Sequence, residues 1–227
     1  MLSRPVAAVV FDMDGLLFDT ESLYEKALFT AAAEIGCEMD ADSFQAMVGT
    51  PWPDTRRRLL GRYGAGYPAD RLVEIWVAHF KLLADRELTL KPGALELLTW
   101  LDELALPRAI ATSSSHATVR HHLAAHGLGD RFHAIVAEGD YAMGKPAPEP
   151  FLRVAERLGV DPRDCLALED SPNGVRSAAA AGMMTVMVPD RVRPTQEIAR
   201  LCLILASLHE VVALISSSRP ASAAASS

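Results

Sequence analysis

The chain has 227 residues, 50% hydrophobic and 22% charged, which suits one globular domain or a core domain carrying a smaller insertion. A net charge of -7 and a pI near 5.5 argue against the basic face that a nucleic-acid backbone requires. No run approaches the roughly 18 apolar residues of a membrane-spanning helix, so neither nucleic acid nor membrane is expected as a partner.

The first apolar run, residues 6–11, reads as a strand and passes straight into Asp12, unlike a signal peptide. Between Asp12 and residue 107 only helical periodicity and turn signals occur, with helices expected at 22–35, 42–48, 53–63 and 69–85. Another follows at 94–104, after the "KPG" turn. A connection of that length far exceeds a βα loop of about two to six residues. It predicts an inserted all-helical cap at 18–88, on a core formed by 1–17 and 89–215. The basic triplet Arg56, Arg57 and Arg58 reads as a solvated helix face, with contacts to an anionic partner as the alternative.

From residue 107 onward short apolar runs at 107–111, 134–136, 165–168 and 185–188, with 201–205 as a sixth strand, alternate with helical patterns at 118–126, 148–158 and 173–181. Continuous apolar runs suit strands covered on both faces, and the alternation is the pattern of βαβ units. The expected fold is therefore α/β: an open parallel Rossmann-like sheet with helices on both faces, plus the helical insertion. His122 and His126 stand at i,i+4, a spacing that zinc can use. Without a cysteine or carboxylate beside them on that helix, they read as a polar helix surface.

The three cysteines, Cys37, Cys165 and Cys202, are odd in number and lack a CxxC spacing, so they read as buried reduced thiols. Residues 216–227 form a polar, alanine-rich tract that reads as a disordered tail. With neither a signal peptide nor a membrane span in the sequence a cytoplasmic protein is expected, and with no heptad or long apolar stripe a monomer.

In open α/β sheets ligands collect outside the carboxyl ends of the strands. The first strand ends in Asp12-Met13-Asp14-Gly15, the second in Thr112-Ser113-Ser114-Ser115 and the fourth in Glu169-Asp170-Ser171, while Gly144-Lys145-Pro146 precedes the helix after the third. Each piece alone has an ordinary reading. Paired acids cap strands, a serine run caps a helix, and a lone lysine is usually a solvated one. All four in one order point to a single site.

Together the pieces resemble the haloacid dehalogenase superfamily of aspartate-dependent phosphotransferases. Its DxDG motif is similar to "DMDG" at 12–15, its second motif to "TSSS", its third to "GKPAPEPF" at 144–151 and its fourth to "LEDSPNG" at 168–174. The resemblance extends to about residue 188. Four carboxylates crowded together are costly, since two unit charges about 4 Å apart repel by about 4 kcal/mol at an effective dielectric near 20. A hard divalent cation with oxygen ligands, Mg²⁺, together with Lys145 makes the cluster tolerable.

The resemblance further implies that Mg²⁺ is held by the Asp12 carboxylate, the Asp14 backbone carbonyl and Asp170, with Glu169 as a ligand or outer-shell acceptor. Asp12 attacks phosphorus to form an aspartyl-phosphate, and Asp14 handles the proton. Phosphoryl oxygens are held by Gly15, Ser113, Ser114 and Lys145.

The chain is similar to the subgroup containing β-phosphoglucomutase and small-metabolite phosphatases. Tyr24 stands where the mutase has a histidine, and Trp52 where it has an arginine. Both departures favour a phosphatase of a small phosphorylated metabolite, either a sugar phosphate or a nucleoside-like monophosphate. The mutase is the alternative. A non-catalytic phospho-aspartate module is disfavoured, because such modules have no place for a helical insertion. Glu21, Tyr24, Thr50 and Trp52 are the expected cap contacts to substrate, with simple packing as the other reading for Tyr24 and Trp52.

Overall fold

The computed structural model describes residues 2–48, 50 and 52–218. Two compact units emerge: one runs through Phe18 and resumes at Leu90, and the other is Asp19–Thr89. In chain order the elements begin with β1 (Ala8–Phe11), α1 (Thr20–Glu34), α2 (Ala41–Met47), α3 (Trp52–Tyr63) and α4 (Ala69–Glu87). They continue with α5 (Ala94–Glu103), β2 (Arg108–Ser115), α6 (His116–Ala125), β3 (Ala134–Glu138) and α7 (Glu149–Leu158). The last are β4 (Cys165–Glu169), α8 (Pro172–Ala180), β5 (Met184–Met187), α9 (Gln196–Ala199), β6 (Leu203–Ile204) and α10 (His209–Ser218).

Among the described residues the six strands form one all-parallel sheet in the order β3-β2-β1-β4-β5-β6. The α/β reading with helices around an open parallel sheet is therefore correct. All four residues of β1 and all five of β4 are buried, which is why these strands are written as unbroken apolar runs. Val10, Ala111, Val136, Phe151, Val154 and Ala167 pack into one cluster between sheet and helices. The strand order reverses beside β1, whose neighbours are β2 and β4, and that switch point is where an open sheet leaves a crevice at its carboxyl edge.

Strand β2 is longer than its apolar run. It continues through Thr112 to Ser115, pairing Ser115 with Glu138 after a register shift, so the serine run is strand as well as helix cap. Ser115 accepts the Thr118 N–H at 3.2 Å, and α6 accordingly begins two residues earlier than its periodicity suggests.

His122 is buried, and its ring and that of His126 pack against Phe18 with centroids 5.6 and 4.9 Å away. That corrects the reading of this face as a polar surface: a ring nitrogen bonded to the helix itself, His126 Nδ1 to the His122 carbonyl at 2.8 Å, lets imidazole serve as packing. Of the three free thiols only Cys165 is buried, while Cys37 and Cys202 are partly exposed. Residues 216–218 belong to α10, not to a tail, because Val211 and Ile215 bury one face of that helix. The rest of the expected tail, 219–227, lies outside the described residues.

The unit Asp19–Thr89 consists of α1 to α4. Its core joins Leu28 and Ala31 of α1 to Phe44, Leu59, Leu72 and Ile75, and Asp40 caps α2 by accepting the Ser43 N–H at 2.7 Å. The basic triplet is spent on local partners, Arg56 on Asp70 and Arg57 on Asp54, with exposed side chains. That is the solvated helix face.

Candidate active site

The residue that closes β1 sets the geometry. Asp12 continues the ladder by donating its N–H to the Leu168 carbonyl at 2.9 Å, which aligns its side chain with the end of β4. There Glu169, with no exposed surface, is the last strand residue, followed by Asp170. Oxygens of Asp12, Glu169 and Asp170 all lie within 4.8 Å of one another. Across the crevice, the loop before α7 delivers Lys145. Its side chain is only 8% exposed, and its ammonium donates to Asp12 Oδ1 and, at 2.5 Å, to Glu169 Oε1. Burial opposes the charge on Lys145, yet the Asp12 and then the Glu169 carboxylate hold it above the usual lysine range. For Glu169 burial dominates and pushes the carboxyl up, to about 7, against the pull of Lys145.

Asp14 has different neighbours. Ser114 Oγ donates to its Oδ2 at 2.7 Å, and Thr112 Oγ1 is 3.5 Å from the same oxygen. Two carboxylates one residue apart thus stand in unlike surroundings, one against an ammonium and one against hydroxyls. The turn that follows makes this possible. Gly15 has φ +81° and donates its N–H to the Phe18 carbonyl at 2.9 Å. A side chain on it would meet Asp170 Oδ2 at 2.4 Å, so only glycine fits here.

Ser113, in contrast to Ser114, is exposed, while the Tyr141 hydroxyl donates to the neighbouring Thr112 carbonyl at 3.1 Å. Glu21, Tyr24, Thr50 and Trp52 belong to the helical unit. Tyr24, Thr50 and Trp52 line one cavity of about 350 Å³ with Met47, Val73 and Trp76. Glu21, in the first turn of α1, is not among its lining residues. Tyr24 stacks on Phe80 at 3.7 Å and accepts the Trp76 indole N–H on its backbone carbonyl.

Several residues at the site carried no role in the sequence reading, although Thr112, Ser171 and Gly174 lie within its motifs. Thr112 is buried beside Asp14. Its place at the end of the second apolar run was the available signal. Ser171 serves twice: it donates to Glu169 Oε2 at 3.0 Å and accepts the Gly174 N–H as cap of α8. Gly174 is required because a side chain there would fall 1.9 to 2.0 Å from the Glu169 carboxyl group. Lys91 and Asp190 form an ion pair at 2.9 Å beside Gly15, and nothing in their sequence neighbourhoods pairs them.

The donor set fits a hard cation: three carboxylates that converge, oxygen atoms only, with no histidine or cysteine ligand beside them among the described residues. The arrangement presents one carboxylate on a fixed ammonium and another held by hydroxyls at the mouth of the sheet. It is suited to accepting an anionic group once a cation offsets the negative charge.

Residues 6–182 match a protein-family model described as haloacid dehalogenase-like hydrolase. The CbbY protein of Cupriavidus necator is 36% identical over 199 residues, covering 80% of this chain and 78% of its own length. A Drosophila melanogaster protein named "Probable pseudouridine-5'-phosphatase" is 36% identical over 211 residues, covering 90% and 91%. Among solved structures, a HAD family hydrolase of Deinococcus radiodurans with bound phosphate and sodium superposes with a TM-score of 0.80 at 26% identity. It covers 95% of this chain and 97% of that one.

Proposed function

This chain belongs to the haloacid dehalogenase-like hydrolases, and from that premise we propose that it is a Mg²⁺-dependent phosphomonoesterase working through an aspartyl-phosphate on Asp12. The observation that carries the reading is the split environment of the two aspartates: Asp12 on Lys145, Asp14 on Ser114 and Thr112.

The Asp12 and Asp170 carboxylates, the Asp14 carbonyl and Glu169 would hold the cation, whose contribution when bound is to offset charge on the phosphoryl oxygens. An Asp12 oxygen forms a bond to phosphorus as the ester P–O bond breaks, and Asp14, entering as the acid, gives its proton to the departing alcohol. Water then attacks the same phosphorus while Asp14 takes its proton. The bond to Asp12 breaks, inorganic phosphate leaves and the enzyme is restored. Lys145 balances the charge spread over the transferring group. Phosphoryl oxygens would be received by the Ser113 hydroxyl and N–H, with the Gly15 turn keeping any side chain out of their way, since the Gly15 and Ser114 N–H groups are already given to the Phe18 carbonyl and Thr112 Oγ1.

Substrate choice falls to the helical unit, the expected cap, through Tyr24, Thr50 and Trp52 with Glu21 nearby in sequence. The relative named for pseudouridine 5′-phosphate and the Escherichia coli hexitol phosphatase B support a small phosphorylated metabolite, a nucleoside-like monophosphate or sugar phosphate. The three free thiols suit the reducing cytoplasm.

The test is hydrolysis of p-nitrophenyl phosphate with Mg²⁺, silenced by chelator and by Asp12→Asn, followed by a panel of sugar phosphates, nucleotides and phosphoglycolate. Undiminished turnover by Asp12→Asn would remove the nucleophile. Glucose 6-phosphate formed from β-glucose 1-phosphate with a trace of glucose 1,6-bisphosphate would turn the reading to a mutase.

A further inference from the structure

The loop after β5 brings to the site a carboxylate that lies outside the four strand-end motifs and was given no role by them. Asp190 is mostly buried. Its Oδ1 accepts from the Lys91 ammonium at 2.9 Å, while its Oδ2, shielded from solvent, has no hydrogen-bond partner. Lys91 is itself anchored, its N–H donating to the Leu17 carbonyl at 2.8 Å. The unpartnered oxygen is aimed at the cluster already described: it lies 3.6 Å from the point where a Gly15 side chain would begin, and Asp170 Oδ2 lies 2.4 Å from that same point. The two oxygens are therefore close enough for one water to bridge them.

A buried acceptor left unmade is costly, and more so when it is charged. A chain that keeps one here must meet a donor in the working protein. Mg²⁺ retains several of its waters when bound by carboxylates, and those waters are strong donors that need acceptors in fixed places. We propose that Asp190 is a positioning residue for the cation: held by Lys91 at one oxygen, it accepts with the other a hydrogen bond from a water on the ion carried by Asp12 and Asp170. This rests on the metal reading above. Its chemistry is that of an outer-shell acceptor, which orients the ligand shell without contacting the ion or the phosphoryl group. Gly15 serves the arrangement as well as the phosphate, because any side chain there would fill the space between the two carboxylates.

The measurement is calorimetric titration of Mg²⁺ alone into substrate-free protein. Asp190→Asn weakens binding by about 10- to 100-fold, the usual consequence of losing an outer-shell partner. That variant also removes a counter-charge of Lys91 beside the site. The decisive comparison is therefore Lys91→Met with Asp190→Leu, which removes both charges and leaves no hydrogen-bond acceptor at position 190. The double variant still binds Mg²⁺ about 10- to 100-fold more weakly, since the acceptor is gone. Wild-type affinity in the double variant would show that Asp190 is only the counter-ion of Lys91 and would overturn this inference alone. Absence of Mg²⁺ binding by the unaltered protein would overturn the metal reading and this inference with it.

Discussion

The sharpest test of the site's packing is Gly174→Ala. Gly174 is the third residue of α8, and in a helix alanine is favoured over glycine by about 1 kcal/mol. Propensity alone therefore predicts a more stable protein. The structure predicts the reverse, because the added methyl would overlap the Glu169 carboxyl group at 1.9 to 2.0 Å. Such an overlap is relieved at little cost when the neighbour is a flexible side chain in solvent. Here Glu169 has no exposed surface and is held by Lys145 at 2.5 Å and Ser171 at 3.0 Å. Displacing it forfeits at least one hydrogen bond to a charged group, about 1.5–3 kcal/mol, with no water to replace it.

Set against the helix gain, the net loss is roughly 0.5–2 kcal/mol. At about 2–4 °C per kcal/mol for a chain of this size, the melting temperature falls by roughly 1–8 °C. Circular dichroism melts in EDTA measure it without a contribution from bound cation. The control is Gly61→Ala in α3, where nothing lies within 4 Å of an added methyl: the same change there should raise stability by up to about 1 kcal/mol. A rise in melting temperature for Gly174→Ala comparable to that of the control would refute the account of a constrained Glu169.

Lys145→Met should destabilise the metal-free protein by about 3–5 kcal/mol in urea unfolding at neutral pH, because it strands the buried carboxylates of Asp12 and Glu169. An unchanged unfolding midpoint would contradict the buried ion-pair geometry. Asp140 is held near 2 by Arg157 first and also by the Ala137 N–H and His116, a depressed acid that contributes stability above its unfolded value of about 3.9 and loses it as pH falls towards 2. Acid titration of Asp140→Asn should accordingly show a shallower loss of stability between about pH 4 and 2 than the unaltered protein. Identical slopes would mean that those partners do not hold Asp140.

Much of this molecule was legible in its residue order for a local reason: a strand buried on both faces must be written as an apolar run, and chemistry at its end must follow in the next one to three residues. Val9 to Asp14 and Leu166 to Asp170 carry both messages in sequence, and so the parallel sheet and the Asp12, Glu169 and Asp170 carboxylates could be named without coordinates, whereas Lys145, seven residues beyond the end of β3, was named only through the family resemblance of its GKP segment. What required the tertiary structure were the pairings made through space. Periodicity records that a side chain is buried, never what it is buried against.

His122 and His126 show the spacing of a polar or metal-binding face, and only the position of Phe18 makes them packing. Ser113 and Ser114 are equivalent on paper, whereas the alternation of an extended β2 turns one towards Asp14 and the other to solvent. Lys91 and Asp190, 99 positions apart, meet because the chain re-enters the core next to the loop after β5. The demand that Gly15 and Gly174 lack side chains arises from carboxylates that folding brings against them.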